Sequence, residues 1–165
     1  MEFLNRPEDG RMRGEAQVYI EATPDKVFQL VSDVTRTGQW SPECYRCGWL
    51  GGATGPTVGA RFKGHNRRGL LRWSITSEVT AAEPGRVFAF ETESIIPFMR
   101  KRQTLWRYEM EPSGSGTTLT EAFNCNWYYR IIVLSAFGGA AARQAQLEAN
   151  LRYTLDRIKQ VAEAS

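Results

Sequence analysis

At 165 residues, 42% of them hydrophobic and 24% charged, the chain suits one domain that buries roughly 70% of its unfolded surface without disulfide or metal staples. A net charge of +3, not gathered on one face, leaves no footprint of a nucleic-acid binder. No apolar run reaches about 18 residues, so stable membrane insertion is not expected; Trp127 to Ala142 comes closest, and Arg130 and Gly138–Gly139 interrupt it. Three cysteines make no disulfide framework, and with no signal sequence they predict a reducing, cytoplasmic setting.

Met1 to Gly14 is polar, with Pro7, Gly10 and Gly14, and reads as a leader ahead of a single domain over residues 15–165. Gln17 to Glu21 alternates around Val18 and Ile20, a short strand. Thr23 then caps a helix that opens on Pro24, where the missing N–H costs nothing, and Val27, Leu30, Val31 and Val34 form its stripe. A second short helical turn is expected from Thr35 to Gln39.

Strands follow. Glu43 to Leu50 leads into the Gly51-Gly-Ala-Thr-Gly-Pro loop, then Ala60 to Asn66 and a tight turn at Arg67-Arg-Gly. Leu71 to Ala82 carries Trp73, Ile75, Ser77 and Val79 on one side. Glu83-Pro-Gly-Arg turns the chain into Val87 to Thr92. Gln103 to Glu111 places Trp106, Tyr108 and Met110 together. After Ser113-Gly-Ser-Gly, Thr117 to Trp127 aligns Leu119, Glu121, Phe123 and Cys125. Tyr129 to Phe137 reads as a short helix ended by Gly138–Gly139.

Arg143 to Glu163 closes the chain. Leu147, Leu151, Leu155 and Ile158 recur at spacings of four, four and three, one stripe of an α-helix roughly 30 Å long. A helix with one apolar face needs a broad partner, and the upstream strands are the available one. The fold class is therefore α+β: a curved antiparallel sheet wrapped around the C-terminal helix, with two short helices after the first strand.

Several stretches then fall in a familiar order: Val18-Tyr-Ile-Glu-Ala-Thr-Pro-Asp-Lys-Val-Phe, Val31-Ser-Asp-Val, Gln39-Trp-Ser-Pro-Glu-Cys, Val58-Gly-Ala-Arg-Phe, Glu83-Pro-Gly-Arg-Val-Phe-Ala-Phe and Gly116-Thr-Thr-Leu-Thr-Glu. The chain resembles the START-like (SRPBCC) superfamily, which includes polyketide cyclases and lipid-transport-like proteins of the helix-grip fold. The resemblance implies a hydrophobic cavity between sheet and helix that holds a lipid, polyketide or aromatic metabolite. It leaves three readings: a binding or transport protein, a cyclase or dehydratase, and a packed interaction domain without a ligand.

Strand parity turns Trp49, Phe62, Trp73, Ile75, Phe88, Phe90, Trp106, Tyr108, Phe123 and Trp127 inward, with Trp73, Trp106 and Phe123 converging beneath the helix. Aromatics fill cores as readily as they line pockets. Polar residues of the same parity are more telling. They are Asn66, Ser77 and Glu121 on strands, with Gln144 and Glu148 near the edge of the helix stripe; Ala145 and Ala149 test whether that face lines the space. A buried carboxyl has a raised pKa, so Glu121, with Asn66, is the candidate for proton transfer. A bland alternative pairs Glu121 with Arg72 or Arg107, or turns it outward at a bulge. Gly51 to Gly59 and the Gly138–Gly139 break are expected at the rim.

Cys44-Tyr-Arg-Cys47 lies in a strand, where positions three apart face opposite ways, so its thiols are expected to diverge and stay reduced. With one histidine and one CxxC, no metal site or cofactor is expected. The basic groups Arg67, Arg68, Arg72 and Arg100, Lys101, Arg102 suit solvated turns, or else an anionic headgroup or membrane surface. The expected partner is a small hydrophobic molecule, with homodimerisation left open.

Overall fold

The computed structural model describes residues 11–93, 102–126 and 138–164. The first ten residues of the leader, Trp127, the helix expected over Tyr129 to Phe137 and the Arg100–Lys101 pair lie outside the described residues.

Strand β1 (Arg13–Ile20) is followed by helix α1 (Pro24–Ser32) and a 3₁₀ helix (Val34–Gln39). Strands β2 (Cys44–Trp49), β3 (Arg61–Arg68), β4 (Leu71–Glu83), β5 (Val87–Glu93), β6 (Arg102–Ser113) and β7 (Gly116–Cys125) come next. The long helix α2 spans Ala140–Glu163. The described strands form one antiparallel sheet in the order β1-β7-β6-β5-β4-β3-β2. This is the expected helix-grip arrangement.

The sheet is bent by its sequence. Register shifts between Cys44 and Arg46, between Val79 and Ala81, and between Thr92 and Glu93 interrupt the ladders. An extra residue in one strand raises the local twist and turns the strand. Gly116 lets the sheet close at its first edge, because a Cβ there would stand 2.3 Å from the Ile20 carbonyl oxygen.

The leader is shorter than the sequence suggests. β1 begins at Arg13, not Gln17, and pairs with β7 along its whole length, from Arg13 opposite Asn124 to Ile20 opposite Thr117. Met12 is buried. A partner strand supplies main-chain bonds regardless of side-chain alternation, so alternation alone misses these residues.

β1 is an edge strand, and α2 occupies that edge. Gln144 donates to the Arg13 carbonyl at 2.7 Å, Lys159 donates to the Tyr19 carbonyl at 2.7 Å, and the Glu21 N–H donates to Glu163 at 2.9 Å. These contacts use backbone groups that would otherwise invite another strand. α1 is capped as its sequence predicts, with Thr23 Oγ1 accepting from the Lys26 N–H at 3.3 Å.

Two apolar clusters fill the interior. The larger joins Val27, Leu30 and Val31 of α1 with Phe88, Leu119, Leu155 and Ile158. The smaller joins Met12, Phe123, Cys125, Leu147 and Leu151.

Candidate functional site

A cavity of about 150 Å³ lies between the sheet and the N-terminal half of α2. Its walls include Phe62, Ile75, Phe88, Phe90, Trp106 and Tyr108 from the sheet, Val31 of α1, Val34 and Trp40 after it, and Leu147 and Leu151 from α2. Aromatic rings brace one another along the sheet wall. Phe62 meets Phe90 edge-on at 5.0 Å, and Phe88 lies 5.8 Å from Phe90 and 6.4 Å from Tyr108. Such contacts fix ring positions beyond simple area burial.

Few polar groups enter this space. Glu121 is 3% exposed and sits opposite Tyr108 on the neighbouring strand. The Tyr108 hydroxyl donates to Glu121 Oε1 at 2.7 Å. Among the described residues, no hydrogen-bond partner reaches Oε2. Burial pushes the Glu121 carboxyl up to about 8, against the smaller opposing effect of the Tyr108 hydrogen bond. Burial likewise raises Tyr108 well above an ordinary phenol, with the neighbouring carboxyl adding to it. At neutral pH the site therefore holds a protonated acid with one oxygen unmatched. Arg107 is not its partner; that guanidinium binds Glu109.

Asn66, Ser77, Thr92, Asn150 and Thr154 supply further polar atoms of the wall, and Thr37, Ser41 and Glu43 add others. Behind Thr92, its hydroxyl accepts from the Thr104 N–H at 3.1 Å, and Thr104 Oγ1 donates to Cys125 at 3.4 Å. Cys125 is pushed up to about 11, chiefly by burial.

The mouth is held by an ion pair. Arg143, only 4% exposed, binds Glu43 through both terminal nitrogens, one of them at 2.9 Å. Asn150 adds a bond to Glu43 at 3.1 Å, and Gln146 accepts from Arg143 at 3.0 Å. The first turn of α2 is thereby tied to the segment that enters β2. Neither charge stood out as a site residue in the sequence. A signal was present, since Arg143 lies four residues before Leu147, on the apolar stripe itself.

The cysteines overturn a sequence expectation. The bulge at Cys44–Arg46 inserts one residue and inverts parity, so Cys44 and Cys47 both face the cavity. A hydrogen bond between the two thiols holds Cys44 below the usual thiol range and pushes Cys47 far up. Both cysteines are free. The inserted residue is Tyr45, which is exposed.

Other expected wall residues stand elsewhere. Trp49 packs edge-on against Phe62 at 5.7 Å, outside the cavity. Phe123 lies behind Trp106 at 5.5 Å, in the smaller cluster. Trp73 is half-buried opposite Asn66 but does not reach the space, so the three rings do not converge. Gln144 bonds Arg13 and Glu148 at the helix edge, and Glu148 is exposed. Ala145 and Ala149 are exposed too; the helix turns Leu147, Asn150, Leu151 and Thr154 inward. Neither residues 51–59 nor Gly138–Gly139 contribute to the described wall.

Residues 11–163 match the protein family described as polyketide cyclase/dehydrase and lipid transport. Among solved structures, the polyketide-cyclase-like protein Cgl2372 from Corynebacterium glutamicum is 31% identical, with 96% of this chain and 94% of that chain covered and a TM-score of 0.63. The Zhui aromatase/cyclase from a Streptomyces species is 16% identical over 93% of this chain and 94% of that one, with a TM-score of 0.70. Ara h 8.0201 is 11% identical over 94% of this chain and 100% of that one, with a TM-score of 0.69. At those identities the last two establish a shared fold alone. No curated protein matches the chain significantly.

Proposed function

The chain belongs to the polyketide cyclase/dehydrase and lipid transport family, and from that premise we propose that it binds a small apolar molecule bearing a carbonyl or hydroxyl group, met by Glu121. The supporting observation is a buried carboxyl in the wall of an apolar cavity, with one oxygen paired to Tyr108 and the other without a hydrogen-bond partner among the described residues. A neutral carboxyl donates through its O–H, so a ligand oxygen is the complement. An apolar guest without such an oxygen leaves the donor unmatched, which costs binding energy.

Size narrows the guest. Common ligand sites measure about 300–1,000 Å³, whereas an apolar cavity of roughly 150 Å³ holds a single benzene-sized ring. The cavity here is of the smaller kind. A one-ring ketone or phenol fits it directly; a full polyketide or acyl chain requires the walls to part. A ligand-free interaction domain would need a solidly packed interior, and the cavity between the two clusters speaks against that reading.

An enzyme of the cyclase or dehydratase type is the second reading, favoured by the pKa of about 8, near working pH. In a dehydration, Glu121 would give its proton to the leaving hydroxyl as the C–O bond breaks, then take the α-proton as carboxylate. Water and an alkene result, and the acid is restored. Asn66, on the same wall, would orient the substrate oxygen.

Titration with acetophenone and with ethylbenzene, near-isosteric guests, tests the binding reading. The ketone should bind about tenfold tighter at pH 6, in line with one buried hydrogen bond, and lose that preference above pH about 8, where the carboxyl ionises. Equal affinity for both guests at pH 6, or binding of neither, would overturn it.

A further inference from the structure

The β3–β4 hairpin projects an arrangement that the core does not explain. Its register sets Arg67 opposite Arg72 and Arg68 opposite Leu71, with Gly69 and Leu70 at the tip. Gly69 takes the positive φ, 56°, that a two-residue hairpin favours at its first central position. Leu70 is completely exposed and Leu71 is 38% exposed. Beside them Tyr45, also exposed, lies under the Arg67 guanidinium at 5.4 Å. Like charges opposed across a ladder weaken a hairpin, and a fully exposed leucine adds no packing. Packing therefore gives no reason for a leucine at this tip.

We propose that the tip of this hairpin docks the protein reversibly on an anionic lipid surface. The chemistry is complementary: Leu70 and Leu71 enter the acyl boundary, Tyr45 sits at headgroup level, and the arginines meet lipid phosphates. Position supports it as well. Arg67, Arg68, Gly69 and Arg72 form one side of a shallow recess whose other side includes Pro42, Glu43 and Asn150. Those last three also line the cavity. The one anionic group among them, Glu43, is engaged by Arg143, so it does not neutralise the arginine side. Docking thus brings the cavity mouth against the bilayer, and an apolar guest passes between them without crossing water. The docking stands on the hairpin alone; only the passage of a guest rests on the cavity reading. The attachment is peripheral, and no described helix is long and apolar enough to cross a membrane.

Co-sedimentation of the full chain with vesicles tests this without any guest. The protein should sediment with vesicles rich in phosphatidylglycerol, far less with phosphatidylcholine alone, and less again as salt rises. Leu70→Ser and Arg72→Glu should each lower the bound fraction severalfold with an unchanged circular dichroism spectrum. Val58→Ser, an exposed apolar site on the connection at the opposite end of β3, should not. Failure to bind anionic vesicles overturns the proposal. So does binding that Leu70→Ser leaves intact, which would be charge adsorption only, or tighter capture by an acidic soluble protein that the hairpin variants abolish. Ketone binding by the same variants reports separately on the cavity, so the two readings fail independently.

Discussion

Tyr108 and Glu121 are direct cross-strand neighbours on β6 and β7, and the phenol donates to the carboxyl at 2.7 Å in the interior of the protein. Two ionisable groups so placed cannot both carry negative charge cheaply in a low-dielectric site. Burial therefore favours the pair as phenol and carboxylic acid near neutral pH.

Stability should therefore fall as pH rises. Glu121 has a folded-state pKa of about 8 against an ordinary 4.5. Below 4.5 both folded and unfolded chains hold this proton, and the group costs nothing. Between 4.5 and 8 the unfolded chain releases it while the folded one retains it, so each pH unit costs about 1.4 kcal/mol from this group. Above about 8 the cost is constant. Urea midpoints measured from pH 5 to 8 should decline for the wild type and decline less for Glu121→Gln. Tyr108→Phe removes a bond that lowers the pKa, so its decline should extend to higher pH. Parallel slopes for wild type and Glu121→Gln would show that the carboxyl ionises normally.

The Arg143–Glu43 pair makes a second prediction. Removing one member of a buried ion pair leaves an uncompensated charge and costs about 3–5 kcal/mol, whereas replacing both with apolar groups is often neutral. Arg143→Met should show that loss in denaturant unfolding, and Arg143→Met with Glu43→Leu should recover most of it. A single-variant loss below about 1 kcal/mol would mean that water screens the pair as it does at a surface.

Cysteine reactivity follows the bulge. Cys44 is held below the usual thiol range by the Cys47 thiol, while Cys47 and Cys125 are raised. Thiolate fraction controls alkylation. Iodoacetamide at neutral pH should label Cys44 first, as read by peptide mass spectrometry, and Cys47→Ala should slow that labelling by returning Cys44 toward an ordinary thiol. Labelling of Cys47 ahead of Cys44 would contradict the shared orientation.

Those cysteines also show where sequence reading stops. The spacing of Leu147, Leu151, Leu155 and Ile158 reports the buried stripe directly, because helical periodicity is local. Parity likewise puts Phe62, Ile75, Phe88, Phe90, Trp106, Tyr108 and Glu121 on the inner face, and the structure sets them around one space. Parity fails wherever a strand gains a residue, as at Tyr45, because one bulge inverts every later position. It also cannot separate depth along a face: Phe123 and Trp106 share an orientation, yet only Trp106 reaches the cavity. Val31 and Val34 read only as the stripe of the first helix, and Trp40 carries no expectation of its own. That they close the cavity depends on where α1 docks, which no local pattern encodes.

The helix stripe supplies the last prediction, since its two central leucines do different work. Leu151 and Leu155 are each 2% exposed, and truncating either to alanine should cost about 2–5 kcal/mol. Of the two, only Leu151 lines the cavity; Leu155 belongs to the larger cluster and stands outside the lining. Leu151→Ala merges its lost volume with space already open to a guest, so two-ring acetonaphthone should bind more tightly than to the wild type, relative to acetophenone. Leu155→Ala leaves a separate void among Ile158, Leu119 and their neighbours, and the ratio of the two ketones should stay where it was. Guest titrations on both variants decide the matter, with unfolding curves confirming comparable loss of stability. An identical shift in both variants, or in neither, would place the guest somewhere other than beneath the N-terminal half of α2.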